Sequence, residues 1–173
     1  MSAFRRTRPL LAVMIAGCVA SGGRAPSEPM SEQGTSPHPY YSHTDTSTLD
    51  VPKTTWQQLL APELYHIAFQ QGTERPFTGK YWDFEGVGTY ACAVCGNVLF
   101  RSDGKFNSSC GWPSFFEPER KAAMHYHEDR SHGMVRVEVT CARCQAHLGH
   151  LFNDGPPPTG LRYCINSVSL DLL

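Results

Sequence analysis

Charge is scarce in this chain. Only 18% of its 173 residues are Asp, Glu, Lys or Arg, and the two signs nearly cancel to a formal −1. Without a basic excess there is no electrostatic footprint for nucleic acid. Long apolar runs are missing too. The stretch from Leu10 to Ala16 is far too short for a bilayer-spanning helix, which needs about 20 such residues. No glycine-rich phosphate loop appears and no Ser-His-Asp constellation is legible, so neither nucleotide binding nor serine-type hydrolysis is indicated. What is present suffices for a core: 40% hydrophobic and 11% aromatic residues exclude wholesale disorder. The length suits one domain with extra sequence at an end.

Cysteine is plentiful by contrast. There are seven, an odd number, so at least one thiol lies outside any set of pairs or any four-ligand metal site. The first of them belongs to an address. Arg5, Arg6 and Arg8 precede the apolar run, and residues 1–17 read as a secretory signal. Ile15-Ala16-Gly17-Cys18 is similar to a bacterial lipobox, in which the cysteine accepts a lipid and becomes the first mature residue. Ordinary cleavage a little later, after Ala20, is the competing reading. The lipobox predicts an exported lipoprotein of the periplasm or cell envelope, held to a membrane surface by acyl chains at Cys18 with nothing spanning it.

Residues 19–41 are Ser, Gly, Pro, Thr and other polar types with almost no large aliphatics, and 42–50 continue in kind. Such a stretch buries too little to offset its ordering entropy. Residues 18–51 are therefore expected to carry the lipid site and a flexible tether, or in part to lie along the domain surface. The domain is expected over 52–173. Thr54 or Thr55 can cap a short helix bearing Trp56, Leu59 and Leu60. A second begins at Pro62, carries Leu64, Ile67 and Ala68 at helical spacing, and ends at Gly72. Beyond it the pattern changes to short segments punctuated by Gly, Pro and Asn. Val135, Val137 and Val139 alternate with polar residues, and 97–101, 147–152 and 162–170 are strand-like. Two small helices followed by a run of strands predict a mostly antiparallel β domain and not a βαβ fold.

Cys92-Ala93-Val94-Cys95-Gly96 and Cys141-Ala142-Arg143-Cys144 are two C-x-x-C knuckles. This spacing lets both sulfurs of a pair converge on one ion, and Gly96 permits the positive φ such a turn uses. Two knuckles make a tetrahedral Cys₄ shell suited to one structural Zn²⁺, with no open position for water. Two disulfides, or one knuckle serving as a redox pair, are the alternatives in an oxidising compartment. A zinc deaminase would need a His-x-Glu element and a proline before its C-x-x-C, and neither knuckle has that proline.

Cys110 and Cys164 are left over. Cys110 lies in a loop-like stretch with Trp112, Phe106 and Phe115; Cys164 lies in a strand two residues from Arg162, so the two share a face. A guanidinium or an imidazole from His147 or His150 would lower a thiol's pKa, and an imidazole can also protonate a departing oxygen. A second thiol in reach would trap an oxidised first one as a disulfide. Trp112 offers a flat wall for a sulfur-bound methyl group. On spacing alone, a plain stabilising disulfide between the two cysteines stands equally open.

Several linked motifs, in order, carry a resemblance. They are Gly72-Thr73-Glu74-Arg75-Pro76-Phe77-Thr78-Gly79, the two knuckles, Lys105-Phe106 through Gly111-Trp112-Pro113-Ser114-Phe115, and Ser131-His132-Gly133-Met134-Val135-Arg136. His147-Leu148-Gly149-His150, Asp154-Gly155-Pro156 and Arg162-Tyr163-Cys164-Ile165-Asn166-Ser167 complete the set. Together they resemble the methionine-R-sulfoxide reductase B family, zinc-binding subtype, over roughly the last two thirds of the chain. The resemblance implies an oxidoreductase, a peptide-methionine (R)-S-oxide reductase acting on methionine-R-sulfoxide in proteins or free. It implies two antiparallel sheets with small N-terminal helices, and Cys164 as nucleophile with Cys110 as the resolving thiol. It also implies Trp112 against the substrate methyl, with His147, His150, Arg162 and Asn166 around the sulfoxide. Zinc would sit on Cys92, Cys95, Cys141 and Cys144, and a thioredoxin-like dithiol protein would be the reductant. Export puts the identity of that reductant in question, since cytosolic thioredoxin would not meet the protein there. A surface binding module that no longer catalyses is the rival from another class, and an intact Cys164 with Arg162, Trp112 and His150 argues against it.

Overall fold

The structure is a computed structural model that describes residues 37–173. The signal segment 1–17, Cys18 and the tether up to residue 36 lie outside the described residues. Two helices come first: α1 (Lys53–Leu59) and α2 (Pro62–Gln70). Pro62 occupies the first turn of α2 as anticipated. The ends differ in detail from the sequence expectation. Pro52, not a threonine, is the N-cap of α1, with no side-chain cap bond. At the end of α2 the left-handed residue is Gln71 (φ 55°), while Gly72 donates its N–H to His66 O at 3.1 Å. A Cβ at 72 would meet the exposed His66 ring at 2.6 Å, so that ring would have to shift.

Nine strands follow in two antiparallel sheets, so the mostly β architecture expected from the sequence is present. The smaller sheet orders β2 (Val98–Arg101), β1 (Thr89–Cys92) and β9 (Leu170–Leu172). The larger orders β3 (Lys105–Phe106), β4 (Ser114–Phe115), β8 (Arg162–Ile165), β7 (His147–Phe152), β6 (Arg136–Cys141) and β5 (Met124–Asp129). Aromatic rings join them. Phe100 of β2 stacks on Phe115 of β4 with centroids 4.2 Å apart, and Tyr90 of β1 meets Phe115 edge-on at 5.0 Å. All three are fully buried with Leu99, Val139, Leu148, Ile165 and Leu170, and such ring pairs add about 0.5–1.5 kcal/mol each beyond their area.

The segment expected as one strand over 162–170 breaks at Asn166 into a 3-10 turn, Ser167–Ser169, before β9. That break lets the chain leave the larger sheet for the smaller. Along β6 burial rises toward the C-terminal end: Val139 is buried, whereas Val137 and the preceding Val135 are exposed.

Residues 37–51, placed in the tether by composition, lie against the domain. Ser42 N donates to Cys95 O at 2.9 Å and Leu49 N to Arg143 O at 2.7 Å. Arg143, almost fully buried, donates to the carbonyls of Tyr40 and Cys95 and pairs with Asp45 at 2.8 Å. His38 is buried beside Trp56, ring to ring at 5.5 Å. The polar composition conceals this because the segment is held largely by backbone bonds, aromatic contacts and the buried Arg143, with only Leu49 and Val51 adding partly buried aliphatic contact. Among the described residues no helix is long and apolar enough to cross a membrane.

Candidate active site and metal centre

The two knuckles are built alike. In the first, Gly96 N bonds to Cys92 O at 2.7 Å and Cys92 N to Asn97 O at 2.8 Å. In the second, Gln145 N bonds to Cys141 O at 2.9 Å and Cys141 N to Ala146 O at 2.9 Å. Each turn needs a left-handed residue after its second cysteine: Gly96 at φ 76° and Gln145 at φ 63°. The first knuckle links β1 to β2 and the second links β6 to β7, so the sulfurs join the small sheet to the large one. Cys92 Sγ lies 3.7 Å from Cys144 Sγ and Cys95 Sγ 3.6 Å from Cys141 Sγ, all four buried and within 4.8 Å of one another. A tetrahedron with metal–sulfur bonds of about 2.3 Å has edges of about 3.8 Å, so the donor set fits one four-coordinate ion. Neither cross-knuckle separation approaches the S–S bond of about 2.05 Å. Asn97 Nδ2 donates to Cys141 Sγ at 3.4 Å and to Ala123 O, bracing the cluster from outside.

The other site follows from strand register. Ser114 of β4 pairs with Cys164 of β8, Cys164 with His150 of β7, His150 with Glu138 of β6, and Glu138 with His127 of β5. Directly paired residues share a face, so five polar side chains form one rung across the sheet. Arg162, two residues from Cys164, is on that face, as its spacing predicted. Cys164 also contributes to a small cavity of about 110 Å³ lined by Thr73, Trp112, Arg136, Gly149, His150, Phe152 and Asn166. Gly149 is obligatory, since a Cβ there would sit 2.0 Å from Cys164 O.

Cys110 reaches Cys164 from the 107–113 loop, with Cys110 Sγ 3.6 Å from Cys164 Sγ. The loop turns sharply through Ser109 (φ 54°) and Gly111 (φ 92°). It is held to the 73–79 segment by Phe77 N to Gly111 O at 2.8 Å. Trp112 is oriented by its Nε1–H donating to Glu74 O at 3.2 Å. Asn166 is pinned from both ends, donating to Leu148 O and accepting from Glu74 N, each at 3.1 Å. The Glu74 carboxylate in turn accepts the N–H groups of Ser167 and Val168.

The two sulfurs share one proton. The Cys164 S–H and the hydroxyls of Ser108 and Ser114 pull the Cys110 pKa down to about 4 against its burial. Negative charge on Cys110 and burial push Cys164 far up, and Arg162 only partly opposes them. The resting charge therefore sits on Cys110, whereas proximity to Arg162 had suggested it for Cys164. Arg162 is itself committed: it makes two 2.8 Å bonds to Asp154 and stacks on the Phe152 ring at 4.3 Å.

The two imidazoles part company. His150 lines the cavity and bonds through Nε2 to Asp129 Oδ2 at 2.8 Å. His147 sits one step behind it, rings 5.4 Å apart, bonded through Nδ1 to Glu138 Oε1 at 2.7 Å. It faces a larger cleft of about 690 Å³ between α1, α2 and the sheet. Three residues apart on a regular strand, the two histidines would face opposite ways; the β-bulge between Val139 and Thr140 pairs His147 with Thr140 and so brings it to the face of Glu138 and His150. Thr73, Arg136 and Gly149 lie within motifs singled out in the sequence and Phe152 ends a strand-like segment, but only the fold reveals them as cavity walls. Asp129 and Glu138 carried no sequence signal at all.

A two-sheet β domain joined by a four-cysteine cluster able to hold a metal ion, with a dithiol facing a small aromatic-walled cavity, is the class these features define. Comparison with known proteins is specific. The SelR domain pattern matches residues 60–173. A peptide methionine sulfoxide reductase MsrB of Agrobacterium fabrum is 58% identical over 115 residues, covering 66% of this chain and 85% of the relative. Proteins of the same name from Acinetobacter baumannii and Acinetobacter baylyi are 58% and 57% identical over 117 residues, 68% of this chain and 84% of each relative. The chain belongs to the SelR domain family.

Proposed function

We propose that the protein is a peptide-methionine (R)-S-oxide reductase that repairs oxidised methionine in other proteins. One observation carries the reading: two thiols 3.6 Å apart, one of them opening onto a cavity walled by Trp112, His150 and Asn166. Trp112 packs on the S-methyl group while His150 and Asn166 address the sulfoxide oxygen. Only one chirality at sulfur then presents its back to Cys164. Cys164, once deprotonated, attacks the sulfoxide sulfur; the oxygen passes to Cys164, methionine leaves, and a sulfenic acid remains. Cys110 condenses with it, releasing water and forming the Cys110–Cys164 disulfide. A thioredoxin-like dithiol protein restores both thiols by exchange. Arg162, held by Asp154, raises the thiolate character of Cys164. His147 supports His150 from behind.

The buried four-thiolate set suits Zn²⁺, which with all positions filled would serve structure and no step of the reaction. The lipobox-like Ile15–Cys18 segment supports export and lipid anchoring at Cys18.

The test is an assay of the purified domain on separate R and S epimers of a methionine sulfoxide substrate with dithiothreitol, beside Cys164→Ser. Reduction of the R epimer alone, lost in the variant, is expected. No reduction of either epimer by folded, metal-loaded protein would sink the reading.

A further inference from the structure

Cys164 enters the reaction with a difficulty. In the resting pair it keeps its proton, because the negative charge of Cys110 lies against it. A nucleophile so placed needs a group that removes the proton and returns it to the oxygen as the sulfur–oxygen bond breaks. Its direct cross-strand partner is His150, and both residues line the same cavity.

The state of that imidazole is set from behind. His150 Nε2 is 2.8 Å from Asp129 Oδ2. Asp129 cannot easily turn away: Oδ2 also accepts Arg136 at 2.6 Å, and Oδ1 accepts the backbone N–H of Ser131 at 2.8 Å. The Ser131 hydroxyl and N–H, with His150 and Arg136, keep Asp129 ionised, its carboxyl far below the usual carboxylate range. A permanent carboxylate facing Nε2 requires that nitrogen to carry hydrogen. In the neutral ring Nδ1 is then a bare lone pair, able to accept a proton.

Resting on the reductase reading, we infer that Asp129 is a positioning residue that acts through His150. It leaves Nδ1 to take the Cys164 thiol proton and deliver it to the sulfoxide oxygen. The step balances without any outside group. The Cys164 S–H bond breaks and an O–H bond forms. Oxygen moves from the methionine sulfur, which is reduced by two electrons, to the cysteine sulfur, which is oxidised by two. His150 ends as it began. The transient imidazolium is stabilised by the Asp129 charge and opposed by burial, by Arg136 and by the neighbouring His147. On the near side it faces Cys164, and Glu138 stands opposite it on β6.

Two measurements on the whole domain test this. Nitrogen-15 NMR of the His150 ring in the reduced protein should find the neutral form protonated at Nε2. A ring protonated at Nδ1 would overturn the assignment, whatever the protein's activity. Single-turnover reduction of a methionine-R-sulfoxide peptide by Asp129→Asn, which keeps the side chain's shape, should slow about 10- to 100-fold, part of the about 10²–10⁴-fold that a general acid–base group contributes, with substrate affinity unchanged. In a His150→Asn background the same substitution should cost less than about 2-fold, since a residue acting through another loses its effect when that other is gone. An undiminished rate in Asp129→Asn, or its full loss repeated in the His150→Asn background, would overturn the inference. An inactive unaltered protein would remove the reductase reading itself, a result distinct from either.

Discussion

Because Cys110 carries the resting charge, its reactivity should depend on pH in an unusual way. The perturbation is alkylation of the fully reduced protein with iodoacetamide between pH 5 and pH 8.5, followed by mass spectrometry of the Cys110 peptide. An ordinary thiol with a pKa near 8.5–9 is about one part in a thousand ionised at pH 6, whereas Cys110, held at about 4, is almost wholly thiolate. That favours Cys110 by about 1000-fold. Nucleophilicity falls with basicity, however. With a Brønsted slope of about 0.4–0.5, a pKa lower by about five units costs about 100- to 300-fold. The two effects leave Cys110 only about 3- to 10-fold faster than an ordinary thiol at pH 6, and slower than one at pH 8.5. The expected signature is therefore a flat profile and not a high rate. Cys164→Ala removes the largest cause of the shift, the Cys164 S–H donor. It should restore a rate that climbs about tenfold per pH unit, up to the new pKa. A tenfold-per-unit rise for Cys110 in the unaltered protein would refute the shared-proton argument.

Three further outcomes are expected. Cys141→Ser should lose the metal and unfold: apparent binding free energies of about 10–16 kcal/mol for structural zinc match or exceed the whole stability of a typical domain, about 5–15 kcal/mol. Metal analysis with thermal unfolding reads this, and a stable metal-free variant would contradict it. Cys110→Ser should complete one turnover and then stall with a thioredoxin-type reductant while small thiols still recycle it. Normal cycling with the protein reductant would show that Cys110 is not the resolver. Phe115→Ala should cost about 3–5 kcal/mol in denaturant unfolding, because the ring is fully buried between Phe100 and Tyr90; a loss under 1 kcal/mol would show that the sheets are not joined there.

What could be read without coordinates depended on how local the signal was. The knuckles were legible because two-residue cysteine spacing and a following glycine form a short-range pattern. Pro62 marked the start of α2 for the same reason. The 97–101 and 147–152 strands were legible within a residue, since alternation is a local property. The 162–170 segment was read too long, because the break at Asn166 is imposed by Glu74 and Leu148, remote in sequence. Cys164, His150, Trp112 and Asn166 were all found, through linked motifs and not through spacing alone, and the fold brings them to one cavity. His147 was grouped with His150 on equal terms. Only the bulge in the β6–β7 pairing places both on one face, where His147 lies beside the larger cleft. Asp129 escaped notice because a carboxylate at the end of an exposed edge strand looks like ordinary surface until the fold brings it within 2.8 Å of His150. The 37–51 segment was hidden differently: the feature that holds it is the buried guanidinium of Arg143, and composition does not report where a charge is buried.

The second knuckle is also the turn of the β6–β7 hairpin. Strand pairing has a period of two, so slipping β7 by one residue against its neighbours would replace His150 at the rung with Gly149 or Leu151 and send the imidazole to the opposite face. By clamping Cys141 and Cys144 to the other sheet, the four-sulfur centre sets the alignment of that hairpin. An ion held there would touch no reacting atom of the proposed chemistry and would still determine which side chain stands opposite Cys164. Partial loss of metal should then lower activity before it lowers the content of β structure.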